Sequence, residues 1–388
     1  MTKKVIIMKK ALIHDICIQK GGSEKCVESI TNIWDDFDFF TLIDHLSDED
    51  RLRMLKGKKT KTSFLQKFPF SKKLFRHYFP FYPFAVEQFD FSEYDLVISS
   101  SYSVCKGILT RPDQIHISYV YSPVRYAWDL YHQYLKEAKL DKGLMGIPIK
   151  WMLHYMRNWD AGTANRPDYY IAISHYIAKR IKKLYNKESL VIYPPVDCSN
   201  FTIGNSEGDY YFTTSRMVPY KKMNLIVEAF SKMPDKKLIV GGDGPDFNKI
   251  NKIKTSNVEL LGFLDNKTLL NYTQSAKAFI FAAEEDFGIA PIEAQACGIP
   301  VIAFGKGGAL ETIVGSFATE NNVKSTDTGM FFEKQTVESL VNAVEVFEKN
   351  KDKFDKNIIR NQALKFDTKR FEKEFKETIE KIIVNHKF

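Results

Sequence analysis

The chain has 388 residues, 44% of them hydrophobic and 27% charged, with a formal net charge of +8. That is long for one domain of about 150 residues and argues for two, while no apolar run reaches the roughly 18 residues of a membrane span. The five cysteines (Cys17, Cys26, Cys105, Cys198, Cys297) form no Cys-x-x-Cys pair, which disfavours a disulfide framework or a zinc site and leaves reduced, mostly buried thiols.

Val5-Ile6-Ile7-Met8 is cut off by Lys9-Lys10, too short for the apolar core of a signal peptide, so the start reads as cytoplasmic. Met8 can itself begin translation, and residues 1–7 are then dispensable. Residues 11–14 read as a first buried strand, followed by Gly21-Gly22-Ser23-Glu24 and a helical run through Val27, Ile30 and Ile33. Strand, glycine loop and helix together suit approach to a phosphate, although most Gly-Gly pairs are simply turns. Residues 37–43 are the second strand. Asp36-Phe37-Asp38 matches the Asp-x-Asp that binds metal in one class of sugar transferases. Here the aspartates flank the start of a strand instead of following its end, which counts against a metal.

Residues 51–86 hold ten basic residues (Arg51, Arg53, Lys56, Lys58, Lys59, Lys61, Lys67, Lys72, Lys73, Arg76) and no acidic one, interleaved with Phe64, Phe68, Phe70, Phe75, Tyr78, Phe79, Phe81, Tyr82 and Phe84. Basic plus aromatic suits an anionic membrane surface or single-stranded nucleic acid; a solvated charged face with its aromatics in the core is the plain alternative. Nothing else resembles a nucleic-acid module, so no nucleic-acid partner is expected.

Residues 94–99 and 115–121 are further strands. The second runs into Tyr121-Ser122-Pro123-Val124-Arg125-Tyr126-Ala127-Trp128-Asp129. Residues 130–166 are helical in pattern, 169–174 a strand and 175–184 a helix. Tyr193-Pro194-Pro195-Val196-Asp197 then leads into polar sequence at 199–209, the best domain boundary in the chain. Beyond it strands at 210–214, 237–240, 258–261, 278–282 and 301–304 alternate with helix-length segments near 222–232, 245–254, 266–275 and 288–297. Regular βαβ alternation in both halves predicts an α/β protein of two Rossmann-like, doubly wound parallel-sheet domains. Asp265 and Asp367 are expected helix N-caps, and the last helix shows an apolar stripe through Phe371, Phe375, Ile379 and Ile382.

Two stretches of the second half carry chemistry. After its first strand, Arg216 and Lys221 are cations five residues apart that can converge on a diphosphate; Gly241-Gly242-Asp243-Gly244-Pro245 is more readily a tight turn than a phosphate cradle. After its fourth strand comes Glu285-Asp286-Phe287-Gly288-Ile289-Ala290-Pro291-Ile292-Glu293. Pro291 lacks an N–H and fits only the first helical turn, so the helix begins near Gly288 and presents the N–H groups of Gly288, Ile289 and Ala290 to phosphate or sugar oxygens. Locally, Glu285 as a cap and Glu293 as a solvated side chain serve equally well. The cations in the same sheet favour a ligand.

In order and spacing, Gly21-Gly22-Ser23-Glu24, Ser122 through Asp129, Tyr193 through Asp197, Arg216 with Lys221 and Glu285-x7-Glu293 resemble the family-4 glycosyltransferases, retaining enzymes of the GT-B fold, over nearly the whole chain. The Arg125-to-Asp129 and Glu293-to-Gly298 segments look most like the bacterial mannosyltransferase branch that builds O-antigen, capsule or exopolysaccharide. The resemblance implies an acceptor-side domain at 1–197, a nucleotide-sugar domain at 198–366 facing it across a cleft, and a helix at 367–388 packing back on the first domain. It implies a hexose donor, GDP-mannose favoured, and a lipid-linked glycan acceptor. Work at the inner face of the cytoplasmic membrane, reached through residues 51–86, and no metal cofactor are further implications. Arg216 and Lys221 would hold the diphosphate. Glu285, with the N–H groups of Phe287, Gly288 and Ile289, would hold the sugar, and Glu293 the ribose. Phe263 and Leu264 would lie near the base, Gly21 and Gly22 would meet the phosphates, and Arg125, Tyr126 and Asp129 would face the acceptor. Where the family commonly places a histidine near the donor sugar, this chain has Tyr121, which donates a hydrogen bond but does not titrate near neutral pH. Another nucleotide sugar such as UDP-GlcNAc or UDP-glucose, an epimerase, and a non-catalytic sugar-nucleotide-binding protein are the alternatives.

Overall fold

The computed structural model describes residues 8–18, 21–205, 208–320 and 322–386; the expectation about residues 1–7 lies outside them. Two compact units divide the chain: Met1–Pro195 with Phe371–Phe388, and Val196–Arg370.

The first unit is built on a parallel sheet of seven strands: β1 (Lys10–His14), β2 (Phe37–Thr41), β3 (Thr60–Thr62), β4 (Leu96–Ser101), β5 (Ile115–Val120), β6 (Tyr169–Ala172) and β7 (Leu190–Val191), in the order β3-β2-β1-β4-β5-β6-β7. β4 and β5 are buried along their whole length, as expected of central strands covered on both faces. Order reverses between β1 and β4. Helix α1 (Gly22–Ile33) follows β1, and its buried face includes Cys26, Val27 and Ile30.

Residues 130–166, helical in pattern, form two helices. α3 (Tyr131–Glu137) and α4 (Gly146–Gly162) are separated where Lys139 adopts a left-handed conformation (φ 57°) and Gly143 another (φ 81°). α2 (Tyr82–Glu87) precedes β4, and α5 (His175–Tyr185) follows β6. The final helix, which ends at Asn385 and begins at Thr368 (α7, Thr368–Asn385), lays Phe371, Phe375 and Ile379, all fully buried, against this unit. Phe371 and Phe375 meet the Tyr119 ring at 5.8 and 5.7 Å, Phe375 meets Trp34 at 6.3 Å, and Asn32 of α1 donates to Glu372 at 3.0 Å. Each such side chain contributes on the order of 1.5–3 kcal/mol. Asp367 accepts from the Lys369 N–H at 3.0 Å, the cap expected of it.

The second unit is a parallel sheet of six strands, β8 (Tyr211–Thr214), β9 (Leu238–Gly241), β10 (Val258–Gly262), β11 (Phe279–Phe281), β12 (Val301–Phe304) and β13 (Gly329–Phe332), ordered β10-β9-β8-β11-β12-β13. Here order reverses between β8 and β11. Asp265 caps the helix Asn266–Gln274 by accepting from Thr268 at 2.9 Å. All five cysteines are free and buried. Among the described residues no helix is long and apolar enough to cross a membrane.

Candidate active site

In an open parallel sheet the crevice for ligand lies beyond the carboxyl ends of the two strands where the order reverses, because the loops there diverge to opposite faces. In the second unit those strands are β8 and β11. Residues 215–222 leave β8, and residues 282–288 leave β11. They carry the two stretches singled out from sequence.

Lys221 closes a short 3-10 turn, Pro219–Lys221, and its Nζ lies 2.5 Å from Glu285 Oε1, with the two side chains 21% and 16% exposed. Arg216, five residues before Lys221, is exposed. Helix α6 (Ile289–Ala296) starts after Gly288 (φ 91°), with Pro291 inside its first turn, as the missing N–H requires. The N–H groups of Ile289 and Ala290 therefore have no carbonyl one turn earlier to bond and lend the site their partial positive charge. Glu293, in the second turn, is half-buried; Phe287 is buried and packs its ring on Phe366 at 5.6 Å. Phe263 is 84% exposed on the loop after β10, whereas Leu264 joins the apolar cluster beneath β8 and β11 and packs against Gly241.

The glycine-rich loop after β9 is a brace for the Arg216–Lys221 loop. Gly242 holds φ 112°, and a Cβ there would lie 1.9 Å from the Ser215 carbonyl oxygen. Met217 N–H donates to Asp243 O at 2.9 Å and Asp246 N–H to Met217 O at 3.1 Å. Sequence reasoning missed a second brace, Lys306-Gly307-Gly308 after β12. Gly308 N–H donates to Glu285 O at 2.8 Å, and a Cβ on Gly308 would lie 2.4 Å from Phe287 Cα. Lys306 Nζ is 3.1 Å from Glu284. A lysine among glycines at a strand's carboxyl end was the available signal.

At the switch point of the first unit buried hydrogen bonds tie the loops together. Asp15, fully buried just past β1, accepts from the backbone N–H groups of Tyr102, Ser103, Val104 and Cys105 at 2.7–2.9 Å. Beside it Tyr121 is buried, its hydroxyl within 2.8 Å of Ser100 Oγ and donating to the Ser23 carbonyl at 3.0 Å. Burial pushes that hydroxyl far above its ordinary titration range. His14 Nδ1 lies 2.9 Å from the same Ser100 Oγ, and its Nε2 3.6 Å from Glu24 Oε1. Burial opposes charge on Glu24, but the neighbouring His14 ring and the hydrogen bond from the Ser23 hydroxyl outweigh it and hold the carboxyl below the usual range. Gly21 and Gly22 open α1 with the Glu24 carboxylate tucked against Gly21. His116 is a core residue as expected, fully buried with Nε2 2.9 Å from Ser99 Oγ, and burial pulls its pKa down to about 3.

Residues 122–129 form a compact loop. Asp129 pairs with Arg180 of α5, which also donates to Ser122 Oγ at 3.1 Å. Tyr126 packs on Phe79 at 4.9 Å, Arg125 is half-buried, and Trp128 Nε1 donates to Asp160 at 2.7 Å. Asp160 is itself paired with Lys106 at 3.0 Å, both buried.

The Asp-x-Asp carboxylates are engaged locally: Asp36 pairs with Lys10, while Asp38 accepts from Tyr94 at 2.5 Å and Lys61 at 3.2 Å. Among the described residues no group of three or more His, Cys, Asp or Glu side chains is arranged to hold a metal ion. In the basic segment, Phe64, Phe68, Phe75, Tyr78, Phe79 and Tyr82 pack into the core, while Phe70, Leu74, Phe81 and Phe84 are exposed with Lys67, Lys72, Lys73 and Arg76.

Residues 201–365 match the family described as glycosyl transferases group 1. The chain is 30% identical over 172 residues to the GDP-mannose-dependent monoacylated alpha-(1-6)-phosphatidylinositol monomannoside mannosyltransferase of Corynebacterium glutamicum, covering 36% of this chain and 45% of that protein. It is 28% identical over 231 residues to the alpha-1,3/1,6-mannosyltransferase ALG2 of Kluyveromyces lactis, covering 56% and 44%. The chain thus spans a little under half the length of these curated relatives. Among solved structures it resembles HepE of Anabaena in complex with UDP and glucose, at 17% identity and a TM-score of 0.65 over 96% of this chain and 99% of that one. Sucrose-phosphate synthase from Thermosynechococcus elongatus aligns at 15% identity and a TM-score of 0.71 over 97% and 99%. At these identities the structural likeness speaks for the fold, which is GT-B.

Proposed function

We propose, from the membership of this chain in the glycosyl transferases group 1 family, that it is a retaining hexosyltransferase acting without a metal. In this reading it moves mannose from GDP-mannose to a lipid-linked or polysaccharide acceptor in cell-surface glycan synthesis, at the inner face of the cytoplasmic membrane, with residues 51–86 towards anionic lipid. The relatives named as mannosyltransferases support the choice of sugar. The observation that carries the reading is the Lys221–Glu285 pair at 2.5 Å, set at the switch point beside the start of α6.

A nucleotide diphosphate brought to this crevice competes with Glu285 for Lys221 and recruits the exposed Arg216, since two phosphates offer more charge than one carboxylate. Glu285, released from Lys221, becomes an acceptor for sugar hydroxyls, and the first-turn N–H groups of α6 donate to sugar or phosphate oxygens. As the glycosyl–phosphate bond breaks, negative charge grows on the departing diphosphate, and two fixed cations stabilise it more in the transition state than in the ground state. That supplies the role a metal would otherwise fill. Glu293 is assigned to the ribose and Phe263 to the base. Tyr121, with its hydroxyl engaged by Ser100 and Ser23, is assigned to positioning the loop that follows it, and Arg125, Tyr126 and Asp129 to the acceptor side. The same engagement favours one second reading, a protein that binds a sugar nucleotide without turning it over.

The two glutamates separate these roles. Glu285→Ala should lower transfer roughly 100-fold while leaving the Kd for the free nucleotide diphosphate within about threefold, and Glu293→Ala should weaken that Kd by roughly tenfold. Calorimetric titration beside a transfer assay measures both. Equal losses of transfer and of nucleotide binding in Glu285→Ala would remove its assignment to the sugar.

A further inference from the structure

Leu144 and Met145, 82% and 81% exposed, are the most exposed large apolar side chains described in the first unit, and Trp151 (71%) and Ile147 (57%) follow along α4. Positions 147, 151 and 155 fall four residues apart on one face of α4, and Leu144 lies in the turn just before it. The other face of α4 buries Leu153, Met156 and Asp160. α4 therefore has two apolar faces, of which only one meets the core. Trp151 and Tyr155 stack on the outer face at 6.4 Å with their rings 10° apart, and Lys136, Lys139 and Lys142 stand exposed just before it.

We propose that the Leu144–Ile147–Trp151–Tyr155 stripe is a wedge that inserts at the boundary of headgroups and acyl chains in an anionic bilayer. It rests on the reading of residues 51–86 as a membrane-facing surface and adds to that surface the part that is not electrostatic. The two are joined through the fold. Trp159 of α4 donates to Glu87 of α2 at 3.0 Å, and Phe84 of α2, itself exposed, meets Phe64 at 5.7 Å. Charge selects the occupant. Beside the stripe, exposed Lys136, Lys139 and Lys142 outnumber exposed Glu137 and half-buried Asp141, and the neighbouring segment adds exposed Lys67, Lys72, Lys73 and Arg76 with no acidic residue, so a second copy of the chain would bring a net excess of like charge together, whereas anionic headgroups neutralise it. Tryptophan and tyrosine suit that depth, where one end of the ring is apolar and the other wet. One apolar insertion plus one polybasic patch gives the two signals that stable anchoring takes.

The test uses the full chain and vesicles of phosphatidylethanolamine and phosphatidylglycerol with brominated acyl chains. The wedge predicts quenching of tryptophan fluorescence, abolished for the most part by Trp151→Phe, and a bound fraction that persists at high salt, because apolar insertion is not screened. Leu144→Ser with Trp151→Ser, both on exposed positions, should lower high-salt partitioning by roughly tenfold or more with an unchanged thermal midpoint. Low-salt binding that high salt reverses completely, with no quenching, would overturn the wedge and leave the basic surface standing. No binding at any salt would overturn both. If the double substitution turned a dimer into a monomer in sedimentation velocity without altering vesicle binding, the stripe would be a contact between copies and the proposal would fall.

Discussion

Lys221→Ala should lower the rate of sugar transfer by about 10²–10³-fold, the effect of removing one preorganised charge or donor from a developing anion. Lys221 is held for this by a turn whose neighbours Ser215 and Met217 are pinned to the loop after β9, and by Glu285 at 2.5 Å. The ammonium is therefore in place before the donor arrives, and once the diphosphate has displaced Glu285 it needs no further reorganisation as charge develops. Arg216→Ala should cost a comparable factor, with a larger share in donor binding, because a guanidinium grips two phosphate oxygens at once. The double variant is the sharper experiment. Single-turnover kinetics on Arg216→Ala with Lys221→Ala that matched the unmodified chain would remove the leaving-group role from both residues.

Asp160→Ala should be the most destabilising single change considered, at about 3–5 kcal/mol, because it leaves the buried ammonium of Lys106 without its counter-ion. Lys106 Nζ lies 3.0 Å from Asp160 Oδ1 and also donates to Thr163 at 2.7 Å; burial pulls its pKa below the ordinary lysine range against the opposing pull of Asp160. Asp160 Oδ2 accepts from Trp128 at 2.7 Å and from Tyr185 at 2.9 Å, so the same substitution also unpins the 122–129 loop. A fall of roughly 10 °C or more in the melting temperature is expected for a unit of this size. Lys106→Met combined with Asp160→Leu should recover part of the loss, since an apolar pair removes the buried charge along with its partner. A melting temperature of Asp160→Ala within about 2 °C of the unmodified chain, a loss under about 1 kcal/mol, would mean that water or a shifted side chain already satisfies Lys106.

The parts of the fold legible in sequence are those governed by local chemistry. Ile115–Val120 reads as a strand from its β-branched, apolar run and is one. Pro291 marks the start of α6, and Asp265 caps the helix after it, because a missing N–H and a short carboxylate act within one turn. The stripe of α7 announced its packing by spacing alone. What stayed hidden depends on partners far away in sequence. β3 is three polar residues that pair only because β2 offers an edge. The role of Gly307 and Gly308 lies in their closeness to Glu285 and Phe287, and Asp15 finds its donors 87 residues or more downstream. The break between α3 and α4 is not legible because apolar spacing continues across it, nor is the outward stripe on α4, since periodicity does not say which of two apolar faces is covered.

Retention of configuration and independence of metal define the proposed transfer. The most direct measurement follows GDP-mannose and a lipid-linked glycan acceptor by proton NMR in the presence of EDTA, reading the anomeric signal of the product. Mannose is expected on the acceptor in the same anomeric configuration it had in the donor, at a rate unaffected by the chelator. A product of inverted configuration, loss of transfer on chelation that added metal restores, or conversion of the nucleotide sugar with no acceptor present would contradict it.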